Sequence, residues 1–431
     1  MALRNLISLV ALLNTLVYSY VEYNVPVFGY LGYPLNYSFE KHLISNLLLF
    51  ILTPFMPSNF FGCSKFVFSI VISTCIVPIL ALFSCVDFPI KYLILIILQF
   101  LIIRFFALNV KVKLPERRVP SGFSALSLCY VFCALTVVFL LLSGGAGNIN
   151  FDIFTFYDTR EVAMERFFVG PMAYIINWVS KGFAVYVFAV AIFRKSITLA
   201  ILSGGLLIFM TLSLGQKTPI FMVFFVAITF LIFKYKPTIW VFNLGLIGVI
   251  ISTHYIFNAF DLIVPYSVLV KRIFFAPAYA MVNYFDYFSI NPHTFLSDSI
   301  LRYFIDYPYK YSVQDLIALE MTGDTLLHPN VGVLGTGYQH AGVVGILLFG
   351  LASGLIFSLI ESLSRGIPDA VVTAVAGPYL YILLTSSDFF RSLLTHGGLV
   401  VIALLFFSSG ASFRKLRRPS IWNSIYFRQG F

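Results

Sequence analysis

The sequence predicts an all-α fold: a polytopic integral membrane helix bundle of about twelve transmembrane helices, one domain over residues 1–431. Three observations predict it. Of the residues, 60% are hydrophobic and 11% charged, with a mean hydropathy of +0.93, more apolar surface than a soluble core of this size needs. The apolar residues fall into runs of about 18–22 with few charges, the helix length that crosses the hydrocarbon, whereas a membrane β-barrel would alternate. Basic residues gather at the ends of alternate runs, as the positive-inside rule requires.

The expected spans are 3–21, 42–61, 66–86, 90–110, 123–143, 171–193, 196–214, 218–233, 238–259, 338–362, 368–387 and 397–413. The first has one arginine and no small-residue cleavage site before Glu22, so it reads as a retained span rather than a signal peptide. With the N-terminus inside, the inner segments carry Arg4, Lys65, Lys111, Lys113, Arg117, Arg118, Arg194, Lys195, Lys234, Lys236, Arg365 and the tail Arg414, Lys415, Arg417, Arg418 and Arg428. Only Glu116, Glu361 and Asp369 among the 18 acids join them. The reverse topology would put the basic tail outside. Both termini are therefore expected in the cytoplasm. Two polar windows, about 144–170 and 260–337, are expected on the opposite face.

Val268–Ile290 is apolar but contains Lys271, Arg272 and Asp286, and counting it as a span would invert every later loop. It reads as a helix at the outer interface, or re-entrant where protein or water covers its backbone. The net charge of +10 resembles a nucleic-acid signal, but its residues sit at span ends, so no nucleic-acid partner is expected. The five cysteines form no CxxC pair and support neither a disulfide framework nor a zinc site. There is no DxD pair, HExxH, P-loop or nucleotide-binding glycine fingerprint, so no metal or cofactor is expected.

The chemistry is expected in the two windows. In the first, Arg160 and Arg166 stand among Asp152, Asp158, Glu161 and Glu165. Guanidinium forks match phosphate oxygens two at a time, although from composition alone a solvated loop with local ion pairs is the plainer reading. In the second, Lys271-Arg272 would clamp a lipid-linked diphosphate or serve as a snorkelling anchor. His328 and Asn330 precede a glycine-rich run, Gly332 to Gly345, that leads into a span. A histidine there would take a proton from a sugar hydroxyl, since its pKa lies near neutrality. The turns Gln216-Lys217-Thr218 and Asp388–Gly397 add Lys217, Arg391 and His396 to the same face, with turn capping and anchoring as the plainer account.

Taken together, these pieces resemble the O-antigen polymerases (Wzy type), the oligosaccharide repeat unit polymerases. The matching pieces are Tyr157–Arg160 with Arg166 and Gly170-Pro171, Gly215–Thr218, Lys271–Phe274 with Tyr284–Ser289 and Asn291-Pro292, Asn330–Gly345, and Thr385–Gly398. They span roughly residues 140 to 400; the first third matches in hydropathy alone. Gly170 follows Arg160 with nine residues between, and no equivalent glycine follows Arg272.

The resemblance implies a metal-independent glycosyltransferase of a bacterial inner membrane. It would move a growing undecaprenyl-diphosphate-linked glycan onto a new lipid-linked repeat unit at the periplasmic face. It implies arginines in two periplasmic loops, Arg160 or Arg166 in the first and Arg272 in the second, of which Arg160 and Arg272 would neutralise the leaving diphosphate. Arg166, Lys217 and Arg391 would hold the lipid diphosphates. His328 is the expected general base, with His396 and Asp158 as substitutes, and Asn330 and Tyr338 would orient sugar hydroxyls. Membrane lipid, a chain-length regulator and a repeat-unit flippase are the implied partners. An O-antigen ligase, or a flippase or transporter of lipid-linked oligosaccharides, would present a similar chain.

Overall fold

The structure, a computed structural model, describes residues 2–113, 124–152, 155–325 and 327–408. These residues form helices joined by turns and loops, with no strand among them. In chain order they are α1 (Leu3–Leu31), α2 (Phe39–Leu52), α3 (Cys63–Cys85), α4 (Ile90–Asn109), α5 (Ala125–Leu142), α6 (Phe156–Arg166), α7 (Pro171–Arg194) and α8 (Ile197–Leu214). They continue with α9 (Thr218–Tyr235), α10 (Ile239–Phe260), α11 (264–290), α12 (Val313–Thr322), α13 (Val333–Leu363), α14 (Asp369–Thr385), α15 (Phe389–Leu394) and α16 (Gly398–Phe407). Among the described residues nine helices are long and apolar enough to cross a membrane: α1, α3, α4, α5, α7, α8, α9, α10 and α13.

Three expected spans take a different form. The run 42–61 is helical only to Leu52, then tightens into a 3₁₀ turn at Thr53–Phe55. Pro54 and Pro57 lack the N–H that a continuing helix needs. The run 368–387 is α14, 17 residues long, and the run 397–413 is helical over Gly398–Phe407. Positions 409–413 lie outside the described residues, as do the basic tail and the Glu116, Arg117, Arg118 cluster.

The centre of the bundle is α3 and α14, which pack on each other. Almost every α14 side chain from Ala370 to Leu380 is buried, as expected of helices apolar around their whole circumference. Between α4 and α13 the contact depends on small residues, which let backbones approach where lipid supplies no hydrophobic drive. A Cβ on Gly354 would come 2.6 Å from Phe106 Cβ, and one on Gly350 3.2 Å from Ile102 Cγ2.

The segment expected at the interface is one continuous helix, α11, with Val270, Phe274, Phe275, Met281 and Phe285 buried against α3, α10 and α13. It widens into a π-helix over Ser267–Phe275, which carries Lys271 and Arg272. α7 widens likewise over Val179–Phe183, around Lys181. Such widened turns are rare and recur at functional sites.

The glycine-rich run does not enter its span directly. Backbone angles leave the helix at Ala341 and at Gly342, whose φ of 58° favours glycine. Residues 333–340 fold back on the start of the long helix, so that a Cβ on Gly345 would overlap the Gly337 carbonyl. In one straight helix, residues eight apart stand about 12 Å apart along the axis. The carbonyls freed at the break accept from the next polar segment: Thr294 N donates to Gln339 O (3.1 Å) and Phe295 N to His340 O (3.0 Å). Gln99 Nε2 donates to Val333 O (2.8 Å), tying this arm to mid-α4. Tyr338 therefore belongs to the folded-back arm rather than to the span expected over 338–362.

Candidate functional site

Local bonds fix α6 against the end of α8. Asn148 Nδ2 donates to Ser213 O (2.6 Å), Asn150 N to Leu212 O (3.2 Å), and Asn150 Nδ2 to Thr155 Oγ1 (2.7 Å) and Thr159 Oγ1 (2.8 Å). Gly215 then ends α8 with a φ of 59°, its Cα pressed onto α6. A Cβ there would come 2.5 Å from Phe156 O and 2.6 Å from Arg160 N. This contact sets Arg160 beside Lys217, whose Nζ lies 5.9 Å from the Tyr157 ring centroid.

On α7, Lys181 Nζ donates to Asn177 Oδ1 (2.9 Å) and to His396 Nδ1 (2.9 Å). Trp178 Nε1 donates to Leu394 O (2.7 Å), fastening α7 to the end of α15. Asp388 caps α15 through Phe390 N (3.2 Å), and Arg391 lies on the first turns of that helix.

Arg160, Lys181, Lys217, Arg272 and Arg391, from five separate segments, line one cavity of about 560 Å³ together with Tyr157, Asn177, Asn330 and His396. No acidic side chain among the described residues lines it. Among the described residues none of the five cations is in an ion pair. Arg160 thus makes, among the described residues, none of the local ion pairs that would make the first window an ordinary solvated loop. The field shows in the neighbours. A hydrogen bond from Arg272 lowers the pKa of the Tyr157 phenol, and the charges of Arg272, Lys217 and Arg160 add to it against partial burial. Burial, then the charges of Lys181 and Arg391, lower His396 to about 3. His396 is therefore a neutral acceptor for Lys181. The arrangement suits a dense anion such as a diphosphate, met by forks and point charges from several sides.

A second cavity of about 330 Å³ adjoins the first, sharing Asn330 and Arg391. Its walls carry Asp298, Arg302, Tyr307, Gln339 and Asp388. Behind them runs a connected set of polar groups. Gln339 Nε2 donates to Asp298 Oδ2 (2.8 Å). His340, 1% exposed, bonds Thr294 Oγ1 through Nδ1 (2.8 Å) and Asp388 Oδ1 through Nε2 (2.8 Å). Burial pushes the Asp388 carboxyl up; the hydrogen bond from His340, with the Phe390 and Phe389 amides, outweighs it and holds the group below its ordinary value.

Of the residues singled out from sequence, Arg160, Lys217, Arg272, Asn330, Arg391 and His396 come together around the larger cavity. Four others do not line either cavity. His328 is 64% exposed, with Nδ1 3.2 Å from Asp315 Oδ1 in a local pair. Arg166 turns back toward Gly144, its Nη1 3.3 Å from where a Cβ there would stand. Tyr338 stacks on Phe285, ring centroids 4.5 Å apart. Asp158 lines neither cavity.

Lys181, Asp298, Gln339 and His340 were not singled out. Lys181 had a visible signal, a lone cation inside an apolar span, which is expensive unless it serves a purpose. The others depend on the break at Gly342, which no local pattern announced.

Among the described residues no group of three or more His, Cys, Asp or Glu side chains is arranged to hold a metal ion. No protein-family model, no curated protein and no solved structure matches the chain.

Proposed function

We propose that the chain is a polymerase of lipid-linked oligosaccharides, of the O-antigen type. It would transfer a growing undecaprenyl-diphosphate-linked glycan onto a new lipid-linked repeat unit at the periplasmic face of a bacterial inner membrane. One observation carries this reading: five cations from five segments, none ion-paired among the described residues, surround a cavity with no acidic lining. That is how a site binds a diphosphate ester and stabilises it as charge builds on leaving. In this reading α2, α14 and α16 complete twelve crossings, both termini are cytoplasmic, and the two polar windows lie outside. Arg160 and Arg272 meet the leaving diphosphate, Lys217, Lys181 and Arg391 support it, and Asn330 stands between donor and acceptor. A chain-length regulator and a flippase would work beside it.

A ligase would use the same donor and differ in acceptor, and the two part in a deletion strain. Loss of a polymerase leaves lipopolysaccharide bearing a single repeat unit, whereas loss of a ligase leaves polymer stranded on undecaprenyl diphosphate. Stranded polymer would refute the polymerase reading. The topology is tested by fusing a reporter active only in the periplasm after Asp315, where it should work, and after Lys236, where it should not.

A further inference from the structure

We propose that the smaller cavity seats the sugar acceptor and that Asp388, oriented by His340, takes the proton from the attacking hydroxyl. The proposal rests on reading the larger cavity as the donor's diphosphate site. Because Asn330 and Arg391 line both cavities, a glycosyl–phosphate bond held in the larger one has the smaller one beside its sugar end.

The lining of the smaller cavity fits a ligand rich in hydroxyls. Asp298 and Asp388 accept, while Asn330 and Arg302 donate; the Tyr307 hydroxyl, its proton given to Tyr311 O, adds another acceptor. A second dense anion is disfavoured there by the two carboxylates.

Asp388 is the better placed of the two for the proton. Its Oδ1 accepts from His340 and its Oδ2 from Phe390 N, and with the Phe389 amide beside them one of the four lone-pair sites is left for the acceptor hydroxyl. Its side chain is 16% exposed, and that opening is the cavity it lines. His340 is sealed from any substrate, with both ring nitrogens engaged. It is a positioning residue: the Thr294 hydroxyl donates to Nδ1, so that Nε2–H donates to Asp388. Asp298 is held by Gln339 instead, its Oδ1 3.7 Å from His340 Nδ1.

In the step, the acceptor O–H bond breaks and its proton passes to Asp388. The acceptor oxygen bonds the anomeric carbon, and the anomeric C–O bond to phosphate breaks with its electron pair on the lipid diphosphate. Asp388 returns the proton to water. The other charged or titratable groups around Asp388 are Arg391 on its own helix, Asp298, Arg302 and Tyr307 from the segments after α11, and Tyr284 of α11.

The test uses the full chain in lipid nanodiscs with undecaprenyl-diphosphate-linked repeat units, and separately with undecaprenyl diphosphate alone as a binding probe. Asp388→Asn keeps the shape, and the amide can donate to His340 Nε2 once the ring changes tautomer. We expect its turnover to fall by about 10²–10⁴-fold, the range for a positioned base, with binding of undecaprenyl diphosphate unchanged. Asp298→Asn should raise the acceptor KM more than it lowers kcat. His340→Phe, which keeps the ring and removes both nitrogens, should move the acid limb of the rate–pH profile to higher pH, since losing its bond lets the Asp388 pKa rise. That last result decides the matter even if Asp388→Asn fails to insert. Near-normal turnover by Asp388→Asn, loss of diphosphate binding along with turnover, or an unmoved acid limb in His340→Phe would each overturn the assignment to Asp388 alone. Wild-type protein that neither binds undecaprenyl diphosphate nor transfers glycan would overturn the donor-site reading, and this inference with it.

Discussion

Lys181 Nζ lies 2.9 Å from His396 Nδ1, joining a cation inside α7 to the turn between α15 and α16. The bond occupies the histidine's free lone pair and leaves Nε2 to carry the ring proton. His396 is therefore a buried acceptor that places Lys181 at the cavity, and a poor base for an acceptor hydroxyl. The π-turn over Val179–Phe183 sets Lys181 on this side of α7, one turn from its other partner, Asn177.

His396 should remain neutral from pH 8 down to pH 5, because burial and two neighbouring cations lower it to about 3. An unfolded chain would bind that proton near pH 6.5, so this residue's contribution to stability should decline as pH falls from about 6.5 toward 3. Histidine ring resonances of the labelled protein follow this directly. A titration of His396 near 6.5 would contradict the Lys181 contact, and His396→Gln should remove its share of the acid sensitivity.

Arg272→Ala should abolish polymer while leaving protein level and insertion intact. Hydrogen bonds to charged groups contribute about 1.5–3 kcal/mol, or roughly ten- to a hundredfold in affinity for undecaprenyl diphosphate. Arg272→Lys should rescue poorly, because it keeps the charge and loses the fork. Arg160→Ala should behave like Arg272→Ala, whereas Arg417→Ala in the basic tail should be nearly silent. Long-chain polymer made normally by Arg272→Ala would remove that residue from the site.

Gly215→Ala should weaken activity without preventing insertion. The added Cβ would stand 2.5 Å from Phe156 O on a backbone with φ 59°, so α6 must move and take Arg160 with it. Gly205→Ala, where nothing lies within 4 Å, is the matched control on the same helix and should be silent. Equal activity of the two variants, measured as glycan transferred per inserted molecule, would contradict the docking of α6 on the 215–218 turn.

Tyr157 reports the potential of the cavity. Its phenol should ionise at lower pH than an ordinary tyrosine, because Arg272 bonds it and Lys217 and Arg160 stand near. Each phenolate formed cancels one positive charge, so affinity for undecaprenyl diphosphate should fall as pH rises through that ionisation. Tyr157→Phe should flatten this part of the alkaline decline, and bound diphosphate should push the tyrosine absorbance titration back up. An alkaline decline identical in wild type and Tyr157→Phe would show that the phenol does not share the anion's site.

Span positions were legible in the sequence where apolar runs were long and flanked by charge, as in Ile90–Asn109 and Ile239–Phe260. Their ends were not legible where proline cut a run short, as at Pro54, or where a helix broke without one, as at Ala341–Gly342. Cations were legible as site residues because charge in an apolar chain stands out. Arg160, Lys217, Arg272 and Arg391 could be chosen individually, and the fold brings them together. Apart from His396, the site's histidines were not legible. His328 looked exposed and poised but is spent on Asp315, while His340 looked like part of a glycine-rich helix but sits buried against Asp388. Only the fold-back of residues 333–340 separates those two environments.

The central claim is that this chain transfers glycan from one lipid diphosphate to another sugar chain. The most direct measurement combines purified protein in nanodiscs with undecaprenyl-diphosphate-linked repeat units, without nucleotide sugar, and follows both lipid-linked products and free undecaprenyl diphosphate by mass spectrometry. The account predicts a ladder spaced by one repeat unit, with one undecaprenyl diphosphate released for each linkage formed. Repeat units that stay single while no undecaprenyl diphosphate is released, from protein that is folded and inserted, would contradict it.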